Sequence, residues 1–360
     1  MNTIKHLNLY RAESPLSKPI ADATHSISTI SFVIVEVVLD NGITGEGYLL
    51  SFQYSPRAIE GALKDAREAL LAGNYKPHET GRFTRDIQQA HEYFGENGLQ
   101  KWAAATINVA MWDAWTKQLN QPIWKVLGTT VTRVPVYGSG GWLSYSDDEL
   151  LDEVLDYQRR GLHAVKIKVG SPDMERDIGR LRKVREAIGP HLKIMMDANQ
   201  GMDVSSAIKL STLAAQIGIH WFEEPLHHQD HAGYQLLRQK TGIALAMGER
   251  EHDVEPLKAL IERNALDLWQ PDIIRIGGVE AWRESALLAN SFKLPVLPHY
   301  YKDYDVPLLC TVPNGYGAES FDWIDPIIDN PMRIEDGFAY PRERAGWGFG
   351  FLKHHLTEIR

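Results

Sequence analysis

Three acidic residues lie at the ends of apolar segments and are evenly spaced along the chain. Asp197 ends the segment IMMD, Glu223 lies in WFEEP, and Glu249 ends ALAMGE, and the interval between the first two acids equals that between the last two. If each interval holds one strand and one helix, the three carboxylates meet at one edge of a parallel sheet, where they repel one another unless a cation binds between them. One such acid alone is more often a turn residue or a helix N-cap. Because three oxygen ligands recur at equal spacing, we predict a Mg²⁺ site.

Two lysines occupy alternate positions of a strongly apolar segment. Lys166 and Lys168 lie in AVKIKVG, so their side chains point to the same side of a strand. If that side faces the interior of a barrel, each ammonium group lowers the pKa of the other and burial lowers both further, which would make a lysine a base near neutral pH. The alternative is an edge strand with both lysines in water, which the flanking valine and isoleucine residues disfavour.

A histidine and two further acids also end apolar segments. Asp272 ends LDLWQPD, His299 ends LPVLPH, and Glu319 ends the last predicted strand. An acid beside a histidine fixes its tautomer and raises its basicity, whereas His299 alone would as often be a core residue with satisfied hydrogen bonds. A site of this kind can remove the α-proton of a carboxylic acid, because Mg²⁺, Lys166 and a protonated Glu319 would stabilise the resulting negative charge. Lys168 and His299 would then approach the substrate from opposite faces.

These residues lie in a regular alternation of strands and helices that begins near residue 134. Strands that recur every ~25–30 residues with helices between them are typical of parallel βα units, and about eight such units fit a closed barrel better than an open sheet. The sequence contains no glycine-rich phosphate-binding motif of the kind found in open nucleotide-binding sheets. The predicted strands are residues 134–137, 164–169, 194–198, 221–224, 244–248, 268–270, 296–298 and 317–319.

Residues 1–130 have a different pattern from the rest of the chain. Residues 30–39 form a β-branched run, and Asp40-Asn41-Gly42 after it is a hairpin turn signal. Residues 101–119 carry apolar side chains at helical spacing. We therefore predict an α+β domain over residues 1–130 and a barrel over 131–334, with residues from about 335 to 360 returning to the first domain.

Composition limits the functions that this chain can have. The net charge of −9 is a poor match for nucleic acid or an anionic membrane, and we expect neither as a partner. The N-terminus lacks a signal-peptide pattern, and the most apolar run is too short for a membrane span, so a cytoplasmic enzyme is expected. The single cysteine, Cys310, follows two leucines and is predicted to be a core residue.

A cluster of three histidines follows the fourth predicted strand. His227, His228 and His231 lack the HExxH arrangement of a zinc site, so we interpret the cluster as a polar loop and a helix start.

At the lysines, the acids and His299 the sequence resembles the enolase superfamily, specifically its mandelate racemase-like subgroup. The hallmarks of that subgroup are a K-x-K strand, acidic metal ligands on the third to fifth strands, an Asp–His pair and a late glutamate, and all occur here. The resemblance implies an α/β fold, a (β/α)7β modified TIM barrel with an N-terminal α+β capping domain, and a homo-oligomer. It also implies that Asn199 contacts the substrate near the metal and that loops 17–28 and 49–57 select the substrate.

The first of these loops favours one class of substrate. Asp22 and Thr24 are polar, as a polyhydroxylated acid requires, and Tyr301 adjoins His299, so all three are predicted substrate contacts. The predicted function is that of a Mg²⁺-dependent hydro-lyase, a dehydratase that converts an aldonate or aldarate into a 2-keto-3-deoxy acid. Lys168 or His299 would take the α-proton, and the other, His299 in its protonated form, would help the β-hydroxyl group to leave.

Two other functions remain open on the sequence alone. The same residues would also serve a racemase or epimerase of a small 2-hydroxy acid, because that reaction begins with the same proton abstraction. A non-catalytic binding protein on the same barrel is the second alternative, which the complete set of site residues disfavours.

Overall fold

The computed structural model describes residues 2–360, beginning with an α+β unit that covers one end of a barrel. Its four-stranded sheet has the order β15 (Thr357–Glu358), β1 (Ile4–Ser14), β4 (Ile30–Leu39) and β5 (Thr44–Leu50), so a strand from the C-terminus lies at one edge. The hairpin turn predicted after residue 39 joins β4 to β5, and Gly42 has a φ of 82° there. The elements are β1 (Ile4–Ser14), β2 (Ile20–Ala21), β3 (Ser26–Ile27), β4 (Ile30–Leu39), β5 (Thr44–Leu50), α1 (Pro56–Ala72), α2 (Thr80–His91), a 3-10 turn (Glu92–Phe94), α3 (Leu99–Gln118) and α4 (Ile123–Val126).

Helix α3 is the core of this unit because it is buried on nearly all sides. It packs directly on β5, where a Cβ atom on Gly45 would lie 2.2 Å from the Ala110 carbonyl oxygen. Glycine is therefore required at this position for the close approach of helix and strand. The packing holds the loop after β5, residues 51–55, over the mouth of the barrel.

The barrel follows from residue 134 as strands alternating with helices. Parallel pairing runs from β6 through β11, and β12 pairs with β6 on its other side, which closes the ring. Its elements are β6 (Val134–Gly140), α5 (Asp147–Arg159), β7 (Ala164–Lys168), α6 (Met174–Ile188), β8 (Lys193–Asp197), α7 (Val204–Ala214), a 3-10 turn (Ala215–Ile217), β9 (Ile219–Glu223), α8 (His231–Thr241), β10 (Leu245–Met247), α9 (Glu255–Glu262), β11 (Leu268–Trp269), α10 (Ile273–Ile276), α11 (Val279–Ser291), α12 (Lys302–Leu309), β12 (Ala318–Ser320) and a 3-10 turn (Asp325–Ile327).

One predicted strand is wrong in extent. Residues 296–298 form no regular strand, and only Val296 makes parallel bridges, to Trp269 on one side and Gly315 on the other. Pro295 and Pro298 flank this bridge, and proline has no backbone N–H with which to extend a ladder. The segment nevertheless fills the seventh position of the ring, which confirms the (β/α)7β barrel with its N-terminal capping unit.

The last residues run back along the molecule. An antiparallel hairpin pairs with the start of β6, and the final strand pairs with β1. These elements are β13 (Arg333–Glu335), β14 (Phe338–Tyr340), a 3-10 turn (Lys353–His355) and β15 (Thr357–Glu358). Cys310 is buried in the core, as predicted. Across residues 2–360, each helix is too short or too polar to cross a membrane.

Candidate active site

A cavity of about 590 Å³ lies between the carboxyl ends of the barrel strands and the capping unit. This is the end of a barrel at which active sites form, and the volume suits a small organic ligand. Nine of the residues predicted for the site line it: Asp22, Lys166, Lys168, Asn199, Glu249, Asp272, His299, Tyr301 and Glu319.

Asp197 and Glu223 lie below the cavity floor. They are register partners at the ends of β8 and β9, and both are buried. Lys166 Nζ lies 2.5 Å from Glu223 Oε1, and Lys168 Nζ lies 2.6 Å from Asp197 Oδ2. The regular spacing in the sequence therefore brings these two carboxylates side by side, but each binds a lysine amine.

The third acid, Glu249, faces cations from other elements. Its carboxylate lies 3.4 Å from Arg275 Nη1, 3.7 Å from Arg250 Nη2 and 3.5 Å from His299 Nε2. Within residues 2–360, no three His, Cys, Asp or Glu side chains are grouped closely enough to hold a metal ion as they stand. Each of the three carboxylates instead lies beside an ammonium or guanidinium group.

The chemistry of these acids nevertheless fits a hard divalent cation. All three offer only oxygen, and they end consecutive barrel strands or the turn directly after one. Burial, with the negative charge of Asp197 as a further cause, raises the pKa of Glu223 to about 7. A divalent cation at this point would keep Glu223 ionised at neutral pH, because it would offset both effects.

The expected lowering of the lysine pKa values is wrong for the site as it stands. Burial does lower them, but Glu223 and Glu319 hold the pKa of Lys166 well above its usual value. Asp197 likewise raises that of Lys168, against both burial and the charge of Lys166. The neighbouring ammonium group is evident from the sequence, whereas the carboxylates come from other strands and reach the lysines only in the folded barrel.

His299 and Asp272 form the predicted pair. His299 Nδ1 lies 2.8 Å from Asp272 Oδ2, which leaves Nε2 directed at the cavity. Burial lowers the pKa of His299, but Glu249 and the hydrogen bond with Asp272 raise it further, so the net shift is upward. Asp272 is also the N-cap of α10, where its other oxygen accepts bonds from the backbone of Ile274 and Arg275. The carboxylate of Asp272 therefore both caps helix α10 and binds the ring of His299.

The pKa of Glu319 is shifted below its ordinary value, which opposes the prediction of a protonated acid. Burial is the largest single influence and raises its pKa, but Lys166, whose Nζ lies 2.7 Å from Oε1, acts together with His299 and Lys168 to make the net shift downward. The backbone N–H of Tyr300 also donates to Oε2 at 2.8 Å. Lys166 therefore bridges the two acids Glu223 and Glu319 at the cavity floor.

The predicted substrate contacts divide into two groups. Asn199 is 6% exposed, its backbone N–H donates to Asp197, and its Oδ1 finds no partner in the described part of the chain. Tyr301 lines the cavity, and its hydroxyl accepts a bond from the backbone N–H of Leu50. Asp22 also reaches the cavity, although its carboxylate mainly accepts bonds from its own loop.

Thr24, in contrast, does not line the cavity. Its hydroxyl group donates a hydrogen bond to the Asn199 carbonyl and so fastens the loop to the barrel.

Several lining residues were not predicted from the sequence. The capping wall is largely apolar, with Ile27, Leu49 and Phe52 beside His25, and the barrel adds a stacked pair, Phe321 and Trp323, with ring centroids 4.4 Å apart. In a sequence these apolar side chains cannot be distinguished from ordinary core residues. A residue buried in the core and one buried against a ligand give the same hydrophobic pattern.

His228 was also missed as a lining residue. The sequence placed it in a polar loop, and His231 does start α8 as predicted, but the ring of His228 borders the cavity. Its proximity to Glu251 is a long-range contact that no local pattern records.

Comparison with known protein families covers both parts of the chain. Residues 6–128 match the N-terminal domain of the mandelate racemase / muconate lactonizing enzyme family, and residues 149–354 match the enolase C-terminal domain-like family.

Individual relatives and solved structures agree with this. The chain is 29% identical to L-talarate/galactarate dehydratase of Salmonella typhimurium, over 96% of this chain and 88% of that protein. It is 31% identical to D-galactarolactone cycloisomerase of Agrobacterium fabrum, over 80% of this chain and 76% of that protein. The crystal structure of the Salmonella typhimurium dehydratase with Mg and L-lyxarohydroxamate superposes with a TM-score of 0.93 at 28% identity, covering 99% of this chain and 94% of that one. This chain belongs to the enolase superfamily, in its mandelate racemase-like subgroup.

Proposed function

We propose that the protein is a Mg²⁺-dependent dehydratase of a sugar acid, either an aldonate or an aldarate. The observation that carries the proposal is that Lys168 and the His299–Asp272 pair border one cavity above an all-oxygen ligand set. Relatives in sequence include a talarate/galactarate dehydratase, an arabinonate dehydratase and a gluconate dehydratase.

Asp197, Glu223 and Glu249 would hold the Mg²⁺. When bound, the ion supplies electrostatic stabilisation of negative charge on the substrate carboxylate.

Lys166 and Glu319 keep a fixed positive and negative charge at the cavity floor. Removal of an α-proton from a carboxylate creates a dianion, and the ammonium group of Lys166 would stabilise that second charge. Glu319, ionised and bonded by Tyr300, would hold Lys166 in place.

Lys168 and His299 would carry the protons. Lys168 would accept the α-proton, and a cation on Asp197 would weaken the contact that raises the pKa of this lysine. His299, with a raised pKa and its Nδ1 bonded to Asp272, would donate a proton from Nε2 to the departing β-hydroxyl group. The C–H and C–O bonds break, water leaves, and the enol tautomerises to a 2-keto-3-deoxy acid.

The proposal is tested by incubating the protein with Mg²⁺ and a panel containing galactarate, gluconate and arabinonate. We expect at least one acid to yield a product that reacts with semicarbazide and absorbs in the ultraviolet. Release of α-protons without keto acid formation from every acid would contradict dehydration. Absence of both would contradict an enzyme of this class and favour a binding protein.

Epimerisation of a 2-hydroxy acid is the second candidate. It is favoured by the presence of two proton-carrying groups, Lys168 and His299, on one cavity, because a racemase needs an acid and a base on opposite faces. In deuterated water an epimerase incorporates α-deuterium and retains the β-hydroxyl group, whereas the dehydratase forms a deuterated methylene group at C3. The same panel therefore separates the two reactions.

A further inference from the structure

A second histidine–carboxylate pair borders the cavity on the side of the predicted metal ligands. His228 lies in the loop between β9 and α8, and its Nδ1 is 3.0 Å from Glu251 Oε1. Glu251 follows β10 and is 4% exposed. Neither residue has a role in the reaction described above, so the pair needs a separate explanation.

The surroundings hold the ring of His228 in one orientation. Its backbone N–H donates to Gln200 Oε1 at 2.8 Å, which fixes the loop against the neighbouring turn. Because Nδ1 faces the carboxylate oxygen of Glu251, the tautomer that satisfies this contact carries its proton on Nδ1. The remaining nitrogen, Nε2, therefore presents a lone pair.

The charges in this corner indicate which chemical group the lone pair would meet. The guanidinium group of Arg250 is already engaged, with Nε 2.9 Å from Glu224 Oε2 and Nη2 3.7 Å from Glu249 Oε1. Glu251 adds a further negative charge, so the corner has no surplus positive charge for a carboxylate. A neutral hydroxyl group, which donates its proton to a nitrogen lone pair, fits this environment.

We propose that His228 Nε2 accepts a hydrogen bond from a substrate hydroxyl group beyond C3, and that Glu251 is the positioning residue that fixes the ring. The inference rests on the proposed function and adds to it, since it assigns His228 to the recognition of the hydroxylated chain of the acid. A site built to bind a hydroxyl group rejects analogues that lack it, because its own polar atom is then left without a partner.

The test compares each hydroxylated acid with deoxy analogues that lack one hydroxyl group at C4 or C5. We expect the wild-type enzyme to prefer the hydroxylated acid in kcat/KM by about 10-fold at one of these positions, and His228→Ala to abolish that preference. His227→Ala is the matched control, because His227 is the adjacent histidine but is exposed and outside the cavity lining. It should retain the wild-type preference.

Glu251 is tested by two substitutions. A glutamine can still accept the Nδ1 proton through its amide oxygen, so Glu251→Gln should keep most of the preference, whereas Glu251→Ala should lose it as His228→Ala does. Mg²⁺ affinity, measured by calorimetry, should stay within about 2-fold in both His228→Ala and Glu251→Gln, since neither removes a predicted ligand.

The possible outcomes separate this inference from the proposed function. Turnover of an acid sugar with the same hydroxyl preference in the wild type and His228→Ala would overturn the role of His228 and leave the dehydratase intact. Loss of preference in His227→Ala as well would overturn it too, since the effect would then come from the loop as a whole. Failure of the wild type to transform any acid in the panel would overturn both.

Discussion

The two sides of the cavity are lined by different kinds of side chain. The barrel side carries charged groups from strand ends, among them Lys166, Lys168 and His299, each with a carboxylate partner within hydrogen-bond distance. The capping side is mostly apolar, with Leu49 and Phe52 as examples, and its polar groups largely bond within their own loop, as Asp22 does.

We infer from this difference that the barrel side carries out the proposed reaction and that the capping side selects the substrate. Under the proposed function, the barrel side would move protons on any 2-hydroxy acid that reaches it, because its charged groups hold one another in place. The capping side and the corner at His228 would decide which chain can follow the reacting carbons. Changes on the barrel side should therefore lower turnover for all substrates, and changes on the capping side should alter their ranking.

The largest effect is expected from removing a proton-carrying group. Lys168→Ala and His299→Asn should each lower kcat by at least ~10³-fold for every substrate, since a positioned acid or base contributes up to ~10⁴-fold. Steady-state kinetics on the best acid of the panel would measure this. Both variants should keep the circular dichroism spectrum of the wild type. Full activity in either variant would contradict the assignment of that residue.

Removal of a metal ligand should be nearly as damaging. Glu223→Gln should weaken Mg²⁺ binding by on the order of 100-fold or more, since even an outer-shell change costs about 10–100-fold. Chelation with EDTA should abolish activity in the wild type, and added Mg²⁺ should restore it. Glu262→Gln, which changes an exposed acid at the end of α9, serves as the control for calorimetry. Equal affinity in both variants would remove Glu223 from the ligand set.

A smaller effect is expected at Asp272, which acts through His299. The raised pKa of His299 means that its proton is held below that pKa and lost as the pH rises through it. Asp272→Asn removes the charge behind Nδ1, so the alkaline limb of kcat should move to lower pH, with kcat falling by ~10–100-fold at its maximum. A pH–rate profile of both proteins would measure the shift. An unmoved limb would show that another group controls it.

The smallest effect is expected on the capping side. His25→Ala should raise KM by ~3–10-fold for some acids and leave kcat almost unchanged, since it removes a contact made equally in the ground and transition states. Arg57→Ala, an exposed change in the first turn of α1, is the matched control. A large fall in kcat with His25→Ala would contradict the division of labour between the two sides.

The barrel side was largely predictable from the sequence because parallel strands convert spacing into proximity. The equal intervals between the acids reflect one βα unit each, which aligned Asp197 with Glu223, and the alternation of Lys166 and Lys168 placed both amines in the site. The pKa shifts of Lys168 and Glu319 run opposite to the predicted directions, since they depend on partners from other strands. Local sequence patterns predict where a residue lies in the fold. They do not show which charged residues tertiary structure brings next to it, and those neighbours set its pKa.

The contacts on the capping side and at His228 were not predicted, because they also depend on residues that are far apart in the chain. Thr24 was expected to meet the substrate because it is polar, but in the structure its hydroxyl binds the Asn199 carbonyl. His228 was assigned to a loop, and its partner Glu251 follows a different barrel strand. Hydrogen bonds between loops depend on the folded geometry, and composition alone does not distinguish a loop contact from a ligand contact.

The most direct test of the account is a time course of the wild-type enzyme with Mg²⁺ and the acid-sugar panel in deuterated water, followed by proton nuclear magnetic resonance. We predict that one acid loses its α-proton signal while a monodeuterated C3 methylene signal of a 2-keto-3-deoxy acid appears, and that neither change occurs in Lys168→Ala. An α-proton signal that stays constant for every acid would contradict proton abstraction at this site, and with it the proposed function.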